Sequence, residues 1–94
     1  MIRKDLLICN KLGLHARAAA KLVHLANRYR AAVRIKRDQQ EVNGKSILGI
    51  LLLAAGQGTT LELTCEGEDE EQAASAITKL VDDRFDEEPA APPR

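Results

Sequence analysis

A chain of 94 residues, with 14 basic and 14 acidic side chains and a hydrophobic content of 45%, has material for one core and not for two. Only Tyr29 and Phe85 are aromatic, so the core must come from Leu, Ile, Val and Ala, and recognition of nucleic acid by base stacking is disfavoured. The longest apolar stretch, residues 47–55, is too short for a bilayer, residues 1–5 lack a secretory pattern, and Cys9 and Cys65 are too few for a disulfide framework.

These exclusions lead to an expected cytoplasmic protein with reduced, buried thiols, no metal site and no cofactor. Along the chain, Leu6, Leu7, Ile8 and Cys9 read as a first strand, ended by the loop Asn10-Lys11-Leu12-Gly13. Residues 16–28 follow as a helix. Ala19, Leu22, Val23 and Ala26 fall at i, i+3, i+4 and i+7 and form a core-facing stripe, while Arg17, Ala20, Lys21, His24, Asn27 and Arg28 share the other side. The position just before this helix, where Ser, Thr, Asp or Asn usually caps the first N–H groups, holds His15.

Residues 32–36 alternate as a half-buried strand, Asp38-Gln39-Gln40 turns, and Glu41-Val42 pairs back as a short arm. Asn43-Gly44-Lys45-Ser46 breaks the pattern, with Ser46 placed to cap a helix of about two turns that starts at Ile47. This second helix is apolar around most of its circumference. At 3.6 residues per turn, Ile47, Leu48 and Leu51 lie on an arc distinct from that of Ile50 and Leu53, so one arc faces the sheet and the other offers a docking patch for a protein. Residues 60–66 alternate as a strand with Leu61, Leu63 and Cys65 inward. Asp69 with Gln72 resembles a capping box for a last helix whose apolar positions Ala73, Ile77, Leu80 and Val81 run on to about Phe85. Residues 87–94, rich in Pro and Ala, are expected to be a disordered tail after a single domain over residues 1–86. The order β-α-β-β-α-β-α implies an α+β layer, helices over one face of a mostly antiparallel sheet.

The run Gly13-Leu14-His15-Ala16-Arg17 carries the chemistry. The first turn of a helix presents N–H donors and partial positive charge, and so stabilises an anion. Neutral imidazole is a nucleophile near neutrality, and Arg17 with the N–H groups of Ala16 and Arg17 can hold phosphoryl oxygens. A transient phosphohistidine at His15 is the expected product. No carboxylate pair, Ser-His-Asp arrangement or metal-ligand set points to a catalyst in its own right.

The motif Gly13-Leu14-His15-Ala16-Arg17, its separation from Asn43-Gly44-Lys45-Ser46-Ile47-Leu48-Gly49, and the run Gly67-Glu68-Asp69-Glu70 ahead of the last helix together resemble the HPr family, histidine-containing phosphocarriers of phosphoenolpyruvate-dependent phosphotransferase systems. The resemblance spans about Asp5 to Phe85. It implies an HPr-like open-faced β-sandwich: a four-stranded antiparallel sheet in the order 1-4-2-3, with three helices on one face. It also implies that His15 accepts phosphate on Nδ1 from phospho-enzyme I and passes it to an enzyme IIA domain. One departure is Ala18, where many members have proline, which preorganises a first helical turn; a looser helix start with phosphoryl acceptance intact is expected.

Ser46 is sufficiently explained as a cap, and the resemblance also implies that it can be phosphorylated by a dedicated kinase, the HPr kinase/phosphorylase. Ala20, His24 and Asn27 are read with Ile47, Leu48 and Leu51 as partner contacts, although an exposed histidine such as His24 is most simply a rim residue. Charge divides sharply: residues 1–47 hold 11 basic and 3 acidic side chains, and residues 48–94 hold 3 and 11. Either the basic half steers acidic partners, or the two halves interleave in space. Two rival readings are an HPr-like regulatory binding protein that passes no phosphate and a nucleic-acid module using Arg28, Arg30, Arg34, Lys36 and Arg37. The motif pair favours the carrier, expected to be a monomer.

Overall fold

The computed structural model describes residues 1–86; the expected tail at residues 87–94 lies outside the described residues. In chain order the elements are β1 (Ile2–Leu7), α1 (Ala16–Ala26), β2 (Ala32–Arg37), β3 (Gln40–Asn43), α2 (Ile47–Leu52), β4 (Thr60–Glu66) and α3 (Glu70–Asp82), followed by a 3-10 turn at Arg84–Asp86. The sheet runs β1-β4-β2-β3 with every neighbouring pair antiparallel. β1 and β2 are therefore parallel to one another with β4 threaded between them, and α1 makes the crossover on the face later shared by α2 and α3.

Alternation sets which side of each strand is buried. Leu61, Leu63 and Cys65 of β4 meet Val33 and Ile35 of β2 and Leu6 of β1 on the helical side, where all six are buried. Against them lie Ala18, Ala19, Leu22, Val23 and Ala26 of α1, Ile50 of α2, and Ala73, Ala74, Ile77 and Val81 of α3. Alanines make up much of the buried helical surface, so a core with almost no aromatic volume is filled by small and branched aliphatic side chains. The opposite face is polar, and there the charged halves interleave. Arg34 of β2 reaches Glu66 of β4 at 3.3 Å and Glu41 of β3 at 4.0 Å. These part-exposed pairs contribute little stability, but they mix the signs across the sheet, and the basic strand carries acidic neighbours on both sides.

Five expectations need correction. The first strand starts at Ile2 rather than Leu6 and ends at Leu7. Its run Arg3-Lys4-Asp5 is exposed on a sheet edge, so pairing with β4 and not burial holds it extended. α1 ends at Ala26, with Asn27 as its C-cap, and α3 ends at Asp82, short of Phe85. Phe85 lies instead in a left-handed turn. Cys65 is buried, with its thiol pushed up by desolvation, whereas Cys9 is only partly covered.

The fifth correction concerns Asp69, which makes no side-chain cap to α3. Its carboxylate accepts the backbone N–H groups of Arg30 (2.9 Å) and Ala31 (2.8 Å), tying the end of the α1–β2 loop to the start of α3. The Arg30 N–H is the chief reason the Asp69 carboxyl lies below its ordinary value. Glu70 ties the approach to the helix, its carboxylate accepting from the Gly67 N–H at 3.0 Å and pairing with the N-terminal ammonium at 2.7 Å.

Candidate functional site

The segment between β1 and α1 is laced to the segment that follows α2. Ile8 N–H donates to Thr59 O (2.9 Å), Gly58 N–H to Ile8 O (2.7 Å) and Leu14 N–H to Ala55 O (2.8 Å). Within the loop, the side-chain amide of the fully buried Asn10 donates to Gly13 O at 2.8 Å, and Gly13 N–H donates back to Asn10 O at 3.2 Å. Gly13 is required twice over. Its φ is +65°, and a Cβ there would lie 2.5 Å from Ala55 O and 2.7 Å from the Gly56 Cα. The loop thus delivers the chain at a fixed height two residues before His15.

His15 is the N-cap of α1, with extended backbone (φ −71°, ψ 176°) and no side-chain capping bond to the helix. The first bond of the helical ladder runs from Ala19 N–H to His15 O at 2.8 Å, so the N–H groups of Ala16, Arg17 and Ala18 precede the ladder at the positive end of the helix. His15 is half-buried, and Ala16 and Arg17 are exposed. His15 and Arg17 line one cleft of about 440 Å³ together with Leu12, Ala18, Lys21, Phe85 and Asp86. An imidazole, a guanidinium and a helix start therefore share one cleft.

A second, shallower groove of about 470 Å³ continues along α1 past Arg17, Ala20, Lys21, His24 and Arg28 to Leu80. It brings Ala20 and His24 onto the same side as Arg17. Asn27 is exposed but outside both clefts, and its amide donates to Val23 O at 2.9 Å, within its own helix.

α2 packs beside α1 and divides as its periodicity predicts. Ile50 and Leu53 are buried, while Ile47, Leu48 and Leu51 are exposed, Leu48 by 68%. Ser46 caps this helix, its Oγ accepting the Gly49 N–H at 3.1 Å. Arg37 closes the other end, donating through Nη1 to Leu53 O and Ala54 O at 2.8 Å each. The exposed arc is thus presented on a helix fixed at both termini.

Sequence reasoning missed Leu12, Leu52, Lys21, Phe85 and Asp86 as parts of this region. Leu12, 63% exposed, and Leu52 enlarge the apolar surface beside His15 and α2. An apolar residue in a four-residue polar loop was the available signal for Leu12. Phe85 and Asp86 gave none, because their place depends on a backbone turn at the far end of the chain.

The family described as the PTS HPr component phosphorylation site matches residues 2–83. Among individual proteins, the phosphocarrier protein HPr of Pseudomonas aeruginosa is 52% identical over 84 residues, spanning 88% of this chain and 93% of that protein. That of Xylella fastidiosa is 44% identical over 88 residues, spanning 94% and 99%. Among solved structures, the HPr of Thermoanaerobacter tengcongensis superposes with a TM-score of 0.91 at 40% identity, covering 95% of this chain and all of that one.

Proposed function

The chain belongs to the HPr family of phosphocarriers of the phosphotransferase system, and we propose that it does this work through His15, with phospho-enzyme I as donor and an enzyme IIA domain as acceptor. In the first half-reaction Nδ1 of the neutral imidazole attacks phosphorus. The new N–P bond forms as the donor's P–N bond breaks. In the second, that N–P bond breaks in favour of the IIA nucleophile, and the carrier returns unchanged. Arg17 and the N–H groups of Ala16 and Arg17 offset charge on the three phosphoryl oxygens, the contribution phosphoryl transfer chiefly needs. The single observation that carries this reading is the placement of His15 at the N-cap of α1 with Arg17 on the same cleft.

The docking surface is the exposed arc of Ile47, Leu48 and Leu51 with the adjoining side of α1 at Ala20, His24 and Asn27, used in turn by both partners. Ser46 is its regulatory position. A phosphate placed there by an HPr kinase/phosphorylase adds about two negative charges beside the apolar arc and impedes docking while remaining favourable for the α2 cap. The working unit is one domain over residues 1–86, a monomer in the cytoplasm; among the described residues no helix is long and apolar enough to cross a membrane. Incubation with enzyme I and labelled phosphoenolpyruvate tests the reading. Acid-labile label that is lost in His15→Ala supports it, and label that persists in that variant contradicts it.

A further inference from the structure

Arg84, Phe85 and Asp86 are three successive residues with a Cβ in the left-handed region, at φ 59°, 55° and 58°. Left-handed backbone is costly for such residues, and a run of three persists only where the surroundings impose it. Three contacts impose it here. The Phe85 side chain is buried, Asp86 N–H donates to Asp83 O at 3.1 Å, and Lys21 Nζ donates to Phe85 O at 2.9 Å. Lys21 also lies 3.9 Å from the Asp86 carboxylate.

The same lysine belongs to the phosphoryl site. It stands one helical turn beyond Arg17, on the same side, and helical side chains tilt toward the N-terminus, which here means toward His15. Lys21, Phe85 and Asp86 line the cleft that holds His15 and Arg17. With the imidazole unmodified, the best acceptors for the ammonium are the Phe85 carbonyl and Asp86. A phosphoryl group on His15 brings three anionic oxygens into the cleft, stronger acceptors than a carbonyl, and sets a like charge near Asp86.

We propose that Lys21 is a second phosphoryl-binding cation, held by the strained turn at Arg84–Asp86 until His15 is phosphorylated and then transferred to the phosphate, releasing the turn. The turn thereby reports the phosphorylation state on the surface next to the docking groove. The proposal rests on His15 as the phosphoryl acceptor.

Amide hydrogen exchange of Asp86 in the full chain, before and after phosphorylation by enzyme I and phosphoenolpyruvate, is the test, with phosphorus NMR establishing that phosphohistidine is present. In the wild type, exchange at Asp86 accelerates about tenfold on phosphorylation, the size of one lost hydrogen bond. In Lys21→Met it is fast in both states, and the equilibrium constant for phosphorylation by the donor falls about threefold, the size of one part-exposed charge contact. Lys21→Arg restores both the equilibrium and the phosphorylation dependence. Phosphohistidine at His15 with unchanged Asp86 exchange overturns this inference alone, because a merely structural lysine holds the turn equally in both states. Absence of phosphohistidine at His15 overturns the underlying assignment as well.

Discussion

Replacing Gly13 by alanine separates two costs that the loop before His15 imposes, provided Gly58→Ala is measured beside it. Both glycines have positive φ, +65° and +90°, so both variants lose the conformational freedom that glycine gives, at about 1–2 kcal/mol each. They differ in space. A Cβ at Gly58 meets nothing within 4 Å, whereas at Gly13 it falls 2.5 Å from Ala55 O and 2.7 Å from the Gly56 Cα, both backbone atoms that cannot rotate aside. Overpacking of this kind adds about 1–3 kcal/mol. Gly13→Ala should therefore be less stable than Gly58→Ala by that increment, read by urea or thermal unfolding at about 4–8 °C per kcal/mol for a small domain. Relief of the clash also moves Leu14 and His15, because Leu14 N–H is bonded to the same Ala55 O. The rate of phosphoryl transfer from enzyme I to Gly13→Ala should then fall by about tenfold to a hundredfold, with little change in Gly58→Ala. Equal stability and equal rates in the two variants would refute the idea that this close approach positions His15.

Leu48→Asp should leave stability within about 0.5 kcal/mol, since the side chain is mostly exposed, while weakening affinity for enzyme I or IIA by at least about tenfold in calorimetry. Ala18→Pro should raise stability by about 0.4–1 kcal/mol and leave transfer rates intact, because the Ala18 N–H precedes the helical ladder; lost phosphorylation would show that alanine is needed. The Asp69 carboxyl is held down by the Arg30 and Ala31 N–H groups, so its stabilising effect is present above the unfolded value of about 4 and is lost as pH falls through the lower folded value. Asp69→Asn should lower the melting temperature at pH 7 and flatten its fall below the unfolded carboxyl value of about 4; an unchanged acid limb would contradict the clamp.

Local pattern carried the parts of this molecule whose cause is local. The stripe Ala19, Leu22, Val23 and Ala26 reads directly as the buried side of α1, and the split between Ile50 with Leu53 and Ile47 with Leu48 follows from 3.6 residues per turn. The placement of His15 and Arg17 together at the start of α1 was legible because it depends only on neighbouring residues. What escaped depends on partners far along the chain. The charged run Arg3-Lys4-Asp5 becomes a strand through β4, some 60 residues later. Asp69 looks like a cap by spacing, yet the N–H groups that claim its carboxylate belong to Arg30 and Ala31. Lys21 reads as one more solvated helix residue until the turn at Phe85 folds against it.

The central claim is that the phosphoryl group rides on His15 and not elsewhere. The direct measurement is a nitrogen-15 and phosphorus-31 NMR correlation on the intact chain, phosphorylated by enzyme I and phosphoenolpyruvate. Phosphorus coupling at Nδ1 of His15, with the His24 imidazole unmodified, is the predicted result. Coupling at His24, or phosphate on a hydroxyl such as Ser46 with His15 unaltered, would contradict it.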